Sequence, residues 1–74
     1  MKYYKETETY TRKYQGPHIY ALDFKEQKVR VYYVNRKKWT KWEPVLDFNK
    51  YIKYFDIKDH FEELSYKETF FEVL

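Results

Sequence analysis

KVRVYYVNRKKWTKW, residues 28–42, joins the clearest strand pattern of the chain to its densest run of basic and aromatic side chains. Its first half alternates Val29, Val31 and Tyr33 with Arg30 and Tyr32, the period-two pattern of a strand built from β-branched and aromatic residues. Residues 35–38 then form a polar turn. Trp39, Thr40, Lys41, Trp42 and Glu43 return as a further strand that Pro44 closes, because proline has no N–H to offer a ladder.

The segment HIYALDF, residues 18–24, is the natural partner, with 25–28 as a four-residue loop. Pairing Phe24 with Val29, Leu22 with Val31 and Tyr20 with Tyr33 makes one side wholly apolar or aromatic. The other side then pairs Asp23 with Arg30, Ala21 with Tyr32 and Ile19 with Val34. Such cross-strand pairs contribute roughly 0.2–1 kcal/mol each. Positions three apart in a strand point to opposite faces, so Trp39 and Trp42 are expected on opposite sides of the sheet.

Upstream, residues 3–14 alternate Thr7, Thr9 and Thr11 with Glu6, Glu8, Tyr10, Arg12 and Tyr14, which predicts an edge strand. Gln15-Gly16-Pro17 ends it as a turn. Downstream, residues 45–57 are ambiguous. Asp47 or Asn49 can cap a helix presenting Phe48, Tyr51, Ile52 and Phe55, but Asn49-Lys50 can equally turn a hairpin. Asp56 then reads as the N-cap of a helix with Ile57, Phe61 and Leu64 on one face. Ser65 and Glu68 form a capping box for a last helix that groups Tyr66, Phe70, Val73 and Leu74, with a strand as the alternative. The expected architecture is α+β: a single domain over residues 1–74, with a basic antiparallel meander of three to four strands in 1–45 and an acidic, mainly helical segment in 46–74 packed on it.

Composition bounds what such a domain can be. With 74 residues it buries only roughly 60% of the surface its unfolded chain exposes. There is no cysteine, so disulfides and thiolate metal sites are excluded and the core must hold the fold alone. Ten Tyr, six Phe and two Trp supply that core, and so many tyrosine hydroxyls cannot all be buried. No apolar run approaches a membrane span and the first ten residues lack a signal-peptide core, which predicts a cytoplasmic protein without membrane contact. Abundant Lys, Tyr and Phe with scarce Ala, Gly and Pro suggest an AT-rich coding sequence, as in low-GC bacteria, their phages and mobile elements.

The net charge of +3 conceals a division. Residues 1–42 hold eleven Lys/Arg and four Asp/Glu, hence +7, whereas residues 43–74 hold four Lys and eight Asp/Glu, hence −4. A basic front and an acidic back would orient the molecule towards a charged partner. The carboxylates of that back, among them Asp56, Asp59, Glu62, Glu63, Glu68 and Glu72, read first as a solvated helix face.

Catalytic motifs are missing from the sequence. His18 and His60 belong to separate elements, and a single glycine cannot build a phosphate-cradling loop. No enzyme activity, metal or cofactor is expected. The sharpest signal is the basic-aromatic cluster of residues 28–42, in which Tyr32, Arg36, Lys37, Lys38, Trp39, Lys41 and Trp42 are the candidate partner-binding residues, while Arg30 is discounted because Asp23 occupies it in the expected register. Tyr, Trp and Arg are the usual anchors of protein interfaces. The same residues could instead neutralise phosphates and stack bases, although the Gly-containing aromatic motif of RRM strands is lacking. Against both stands a Lys-rich hairpin tip above core tryptophans. The expected function is therefore a non-enzymatic protein that regulates or inhibits a larger protein or protein–nucleic acid complex by surface occupation, such as a phage or mobile-element protein acting on a defence nuclease. Binding of single-stranded RNA or DNA is the alternative, and a homo-oligomer built through exposed tyrosines is a third reading.

Overall fold

The computed structural model describes residues 1–14, 16–57 and 59–74, with Arg12, Lys13 and Tyr14 described by backbone alone. Short elements follow one another: β1 (Lys2–Glu6), α1 (Glu8–Tyr14), β2 (His18–Asp23), β3 (Lys28–Tyr33), β4 (Lys38–Trp39), β5 (Glu43–Pro44), α2 (Phe48–Tyr51) running into a 3-10 turn (Ile52–Asp56), β6 (Phe61–Leu64) and α3 (Tyr66–Val73). The strands form one antiparallel sheet in the order β4-β3-β2-β1-β6, with β5 also pairing β3. The α+β class is as expected, but the sheet is larger and takes a strand from the C-terminal segment.

β1 is not an edge strand and does not reach residue 14. It stops at Glu6 because Thr7 caps a helix: the Thr7 hydroxyl accepts the Tyr10 N–H at 3.4 Å, and the Thr7 N–H donates to the His60 carbonyl at 2.8 Å. The threonines that suggested alternation thus begin α1 instead. In the turn expected over 15–17, Gln15 lies outside the described residues. Gly16 packs against the Glu6 carboxylate, and a Cβ there would have to displace a carboxylate oxygen.

The β2–β3 hairpin pairs Leu22 with Val29, Tyr20 with Val31, Ile19 with Tyr32 and Ala21 with Arg30, two residues away from the expected register. Turn chemistry decides this. Asp23 Oδ1 accepts the N–H groups of Lys25 and Glu26, both at 3.1 Å, and Gln27 takes a left-handed φ of 54°. The chain therefore reverses over 24–27, and Phe24 leaves the ladder for the exposed turn. A slip of two preserves the face of every side chain. Arg30 loses the expected pairing with Asp23, which stands opposite Lys28.

The fourth strand is broken. Tyr32 pairs with Trp39 but Val29 pairs with Glu43, so one extra residue is inserted opposite β3. Thr40 anchors this bulge: its N–H donates to the Val31 carbonyl at 2.8 Å and its hydroxyl accepts the Val31 N–H at 2.9 Å. Pro44 is the last residue of β5 and closes it, on an edge where no ladder N–H is needed.

Helix wins over hairpin at Phe48, since Asp47 caps it by accepting the Lys50 N–H at 3.3 Å. The helix expected after Asp56 is instead β6, which pairs Leu64 with Tyr3 and Glu63 with Tyr4 and so completes the second edge of β1. Segment 46–74 is accordingly helical at its ends and extended in the middle. The Ser65–Glu68 capping box is present in full and starts α3.

Both faces of the sheet are covered. On one, Tyr4, Leu22 and Val29 pack with Phe48 and Phe55 from α2 and the 3-10 turn. On the other, Ile19, Tyr32 and Leu64 pack with Val34, Trp39 and Val73, the last from α3. Ile19 and Leu22 are completely buried, one on each face.

Candidate functional site

Arg30 points to the α3 side of β3, the same side as Tyr3 and Trp39. Its guanidinium carbon lies 4.2 Å from the ring centroid of Trp39 and 4.9 Å from that of Trp42. The bulge makes this double contact possible, because one extra residue restores tryptophans three apart to a common side; the expected separation by the sheet does not occur. Each contact of this type is worth about 0.5–2 kcal/mol depending on exposure.

No carboxylate among the described residues pairs with Arg30, and its Nε is shielded from water without an acceptor. The carboxylates of α3 are committed elsewhere. Glu72 pairs with Lys5 at 2.9 Å, while Glu68 accepts the Ser65 N–H at 2.9 Å, a capping bond that holds its carboxyl below the ordinary value. A groove of about 140 Å³ opens beside the guanidinium, walled by Tyr3, Trp39, Tyr66, Phe70 and Val73, with Thr69 at its floor. Phe70, Phe71, Tyr66 and Leu74 are exposed along α3, so the aromatic surface continues beyond the groove.

The remaining sequence candidates divide sharply. Tyr32 is only 3% exposed, and its hydroxyl reaches the Val73 carbonyl at 3.5 Å. It is a core residue that supports Trp39, whose ring it meets at 5.1 Å, and it is not available as a contact. Arg36, Lys37, Lys38 and Lys41 are exposed. Arg36 lies over Tyr33 at 5.5 Å, and Lys37 takes a left-handed φ of 51° at the hairpin tip. Trp39 and Trp42 are half-buried. Arg30, valued low in the sequence when Asp23 was its expected partner, becomes the centre of the site. Neither the register that frees it from Asp23 nor the bulge that brings both tryptophans to it could be read from residue types.

A second constellation lies on the opposite face. Glu6 is 4% exposed and its carboxylate accepts three hydrogen bonds: from the His18 N–H at 2.8 Å, from His18 Nδ1 at 2.6 Å and from the Tyr20 hydroxyl at 3.1 Å. Burial, followed by the Glu6 charge, pushes the Tyr20 phenol well above its ordinary value. His18 is half-buried in this network. Beside it, a cavity of about 310 Å³ is walled by Tyr10, Tyr51, Tyr54, Phe55, His60 and Phe61. Tyr20 lines it as a neutral phenol whose proton is engaged, which suits packing rather than proton abstraction.

Among the described residues no group of three or more His, Asp or Glu is placed to hold a metal ion, and no helix is long and apolar enough to cross a membrane. No family model, curated protein sequence or solved structure matches the chain.

Proposed function

We propose that this chain is a non-enzymatic binding protein that regulates or inhibits a larger protein partner by covering part of its surface. The face formed by α3, Trp39 and Trp42 makes the contact. One observation carries the reading: Tyr66 and Phe70 share a groove with Trp39 and Arg30, and the exposed Phe71 meets the Phe70 ring at 6.1 Å. Exposed aromatics grouped around an arginine are the composition of interface hot spots. Partners that handle nucleic acid in the cytoplasm, such as a defence nuclease, are the class to which the AT-rich bias points.

Single-stranded nucleic acid is favoured by a different feature, the exposed Arg36, Lys37, Lys38 and Lys41. The tryptophans count against it. Arg30 covers one face of each ring, and Tyr32 stands against Trp39, which leaves fewer π-faces for bases.

Pull-down from a low-GC bacterial lysate separates the readings. A stoichiometric protein that survives nuclease treatment, and is lost from Phe70→Ser/Phe71→Ser, supports the proposal. A partner retained by that variant, or no retained partner at all, counts against it. Anisotropy titrations with labelled single strands at low salt should stay flat.

A further inference from the structure

We infer that the groove beside Arg30 is a carboxylate-binding site, and that its occupant is an acidic side chain, Glu or Asp, on the protein partner. The inference rests on the protein-binding reading and adds the chemistry of the central contact.

A guanidinium that lies against ring faces presents its flat sides to them and keeps its N–H groups in plane, directed outward for an acceptor. In Arg30 those donors meet no carboxylate among the described residues, and Nε is shut off from water as well. Leaving such a donor unpaired costs about 1–3 kcal/mol; Nε itself is closed to solvent, so a bound carboxylate would meet Arg30 through the other guanidinium N–H groups at the groove. The carboxylates of the overlying helix cannot serve, since Lys5 holds Glu72 and the capping box holds Glu68. The acceptor must come from outside this chain's α3.

The lining of the groove narrows the ligand. An open groove with apolar and aromatic walls around one guanidinium suits a carboxylate on a short aliphatic stem, the end of an Asp or Glu side chain. The walls of Tyr3, Trp39, Tyr66, Phe70 and Val73 would pack on the aliphatic stem and exclude water from the ion pair, which strengthens it. Charge complementarity points the same way. Lys41, next in sequence to Trp42, is exposed without a carboxylate partner among the described residues, so an acidic segment would be drawn towards this strand.

The test uses the full chain labelled with ¹⁵N and a hexaglutamate peptide, with inorganic phosphate and a thymidine oligonucleotide as competitors at matched ionic strength. The Arg30 Nε–H signal and the indole N–H signals of Trp39 and Trp42 should shift together and saturate with hexaglutamate. Arg30→Lys keeps the charge but lacks the planar fork, and should weaken binding at least about tenfold. Absence of a shift, equal affinity in Arg30→Lys, or a tighter response to phosphate or the oligonucleotide overturns the inference. If the lysine variant does not fold, the wild-type titration decides alone. Capture of a partner through Phe70 and Phe71 while hexaglutamate leaves Arg30 unmoved would remove the carboxylate site and keep the interface. An Arg30 response without any captured partner would do the reverse.

Discussion

Glu6 and Arg30 lie on opposite faces of one sheet, each a charged residue with a polar atom withdrawn from water. Their surroundings differ in kind. Glu6 accepts three hydrogen bonds from His18 and Tyr20 beneath a layer of aromatic rings. Arg30 has tryptophan faces for company, an Nε without an acceptor and a groove at its side. A buried polar group that is fully partnered helps to specify a fold, whereas one left unpartnered lowers stability and is tolerated where a ligand can supply what is missing. The contrast assigns stability to the Glu6 face and recognition to the Arg30 face, and each half can be attacked separately.

The largest effect should come from Phe55→Ala. This ring lies 4.9 Å from Tyr4, 5.3 Å from Tyr20, 5.6 Å from Tyr51 and 4.8 Å from Phe61, so its removal empties the centre of the closed face. Truncations of this kind cost about 3–5 kcal/mol. A domain of 74 residues has a total stability of about 4–11 kcal/mol, so the variant should melt far below the wild type. Phe71→Ala on the exposed side of α3 should stay within about 0.5 kcal/mol. Equal losses in urea denaturation would erase the distinction between the faces.

Glu6→Gln comes next. The amide keeps the shape, but its oxygen accepts from His18 without the charge that strengthens those bonds, and its NH₂ reverses the Tyr20 bond by donating to the hydroxyl oxygen. A cost of about 2 kcal/mol is expected at neutral pH, read from the urea midpoint at constant m value. A loss below about 0.5 kcal/mol would show that the network is not the anchor its geometry suggests.

The same face gives a pH dependence. Tyr20, Tyr4 and Tyr51 are all raised by burial above the ordinary tyrosine value of 10.0. Above that pH the unfolded chain releases phenolic protons that the folded chain retains, so stability that is intact below pH 10 falls as the pH rises further. Urea midpoints followed from about pH 8 to about pH 11, with tyrosinate absorbance recorded alongside, should show the decline and the late ionisation together. Phenols that all ionise near their ordinary value while the chain stays folded would contradict the closed face.

What could be read in the sequence follows the same physical lines. The faces of β2 and β3 were legible, because period-two patterning survives a register slip of two. The pairing itself was not, since it depends on Asp23 capping the turn and Gln27 entering the left-handed region. The capping box at Ser65 was legible because two residue types at fixed spacing complete it. β6 was not. Phe61 and Leu64 fit a helical spacing equally well, and only the open edge of β1, far away in sequence, selects the strand. The tryptophans were rightly noticed, but their meeting over Arg30 needs an inserted residue stabilised by the Thr40 hydroxyl. Such a bulge leaves the alternation on either side intact and so leaves no mark in composition.

Arg30→Met should make only a small change in stability, and it is the most instructive substitution. Methionine keeps an unbranched stem against the rings of Trp39 and Trp42 and adds a polarisable sulfur, which packs well on aromatic faces. It forfeits two cation–π contacts of about 0.5–2 kcal/mol each, and it removes an unpaired buried donor that costs about 1–3 kcal/mol. These terms oppose one another, so the urea midpoint should move by no more than about 1 kcal/mol in either direction. If the loss exceeds about 2 kcal/mol, the guanidinium is holding α3 and the bulged strand together, and Arg30 belongs with Glu6 among the residues that maintain the fold. If stability is kept while the hexaglutamate response of the two indoles disappears, the charge at Arg30 serves recognition, for which the free protein carries an unsatisfied donor.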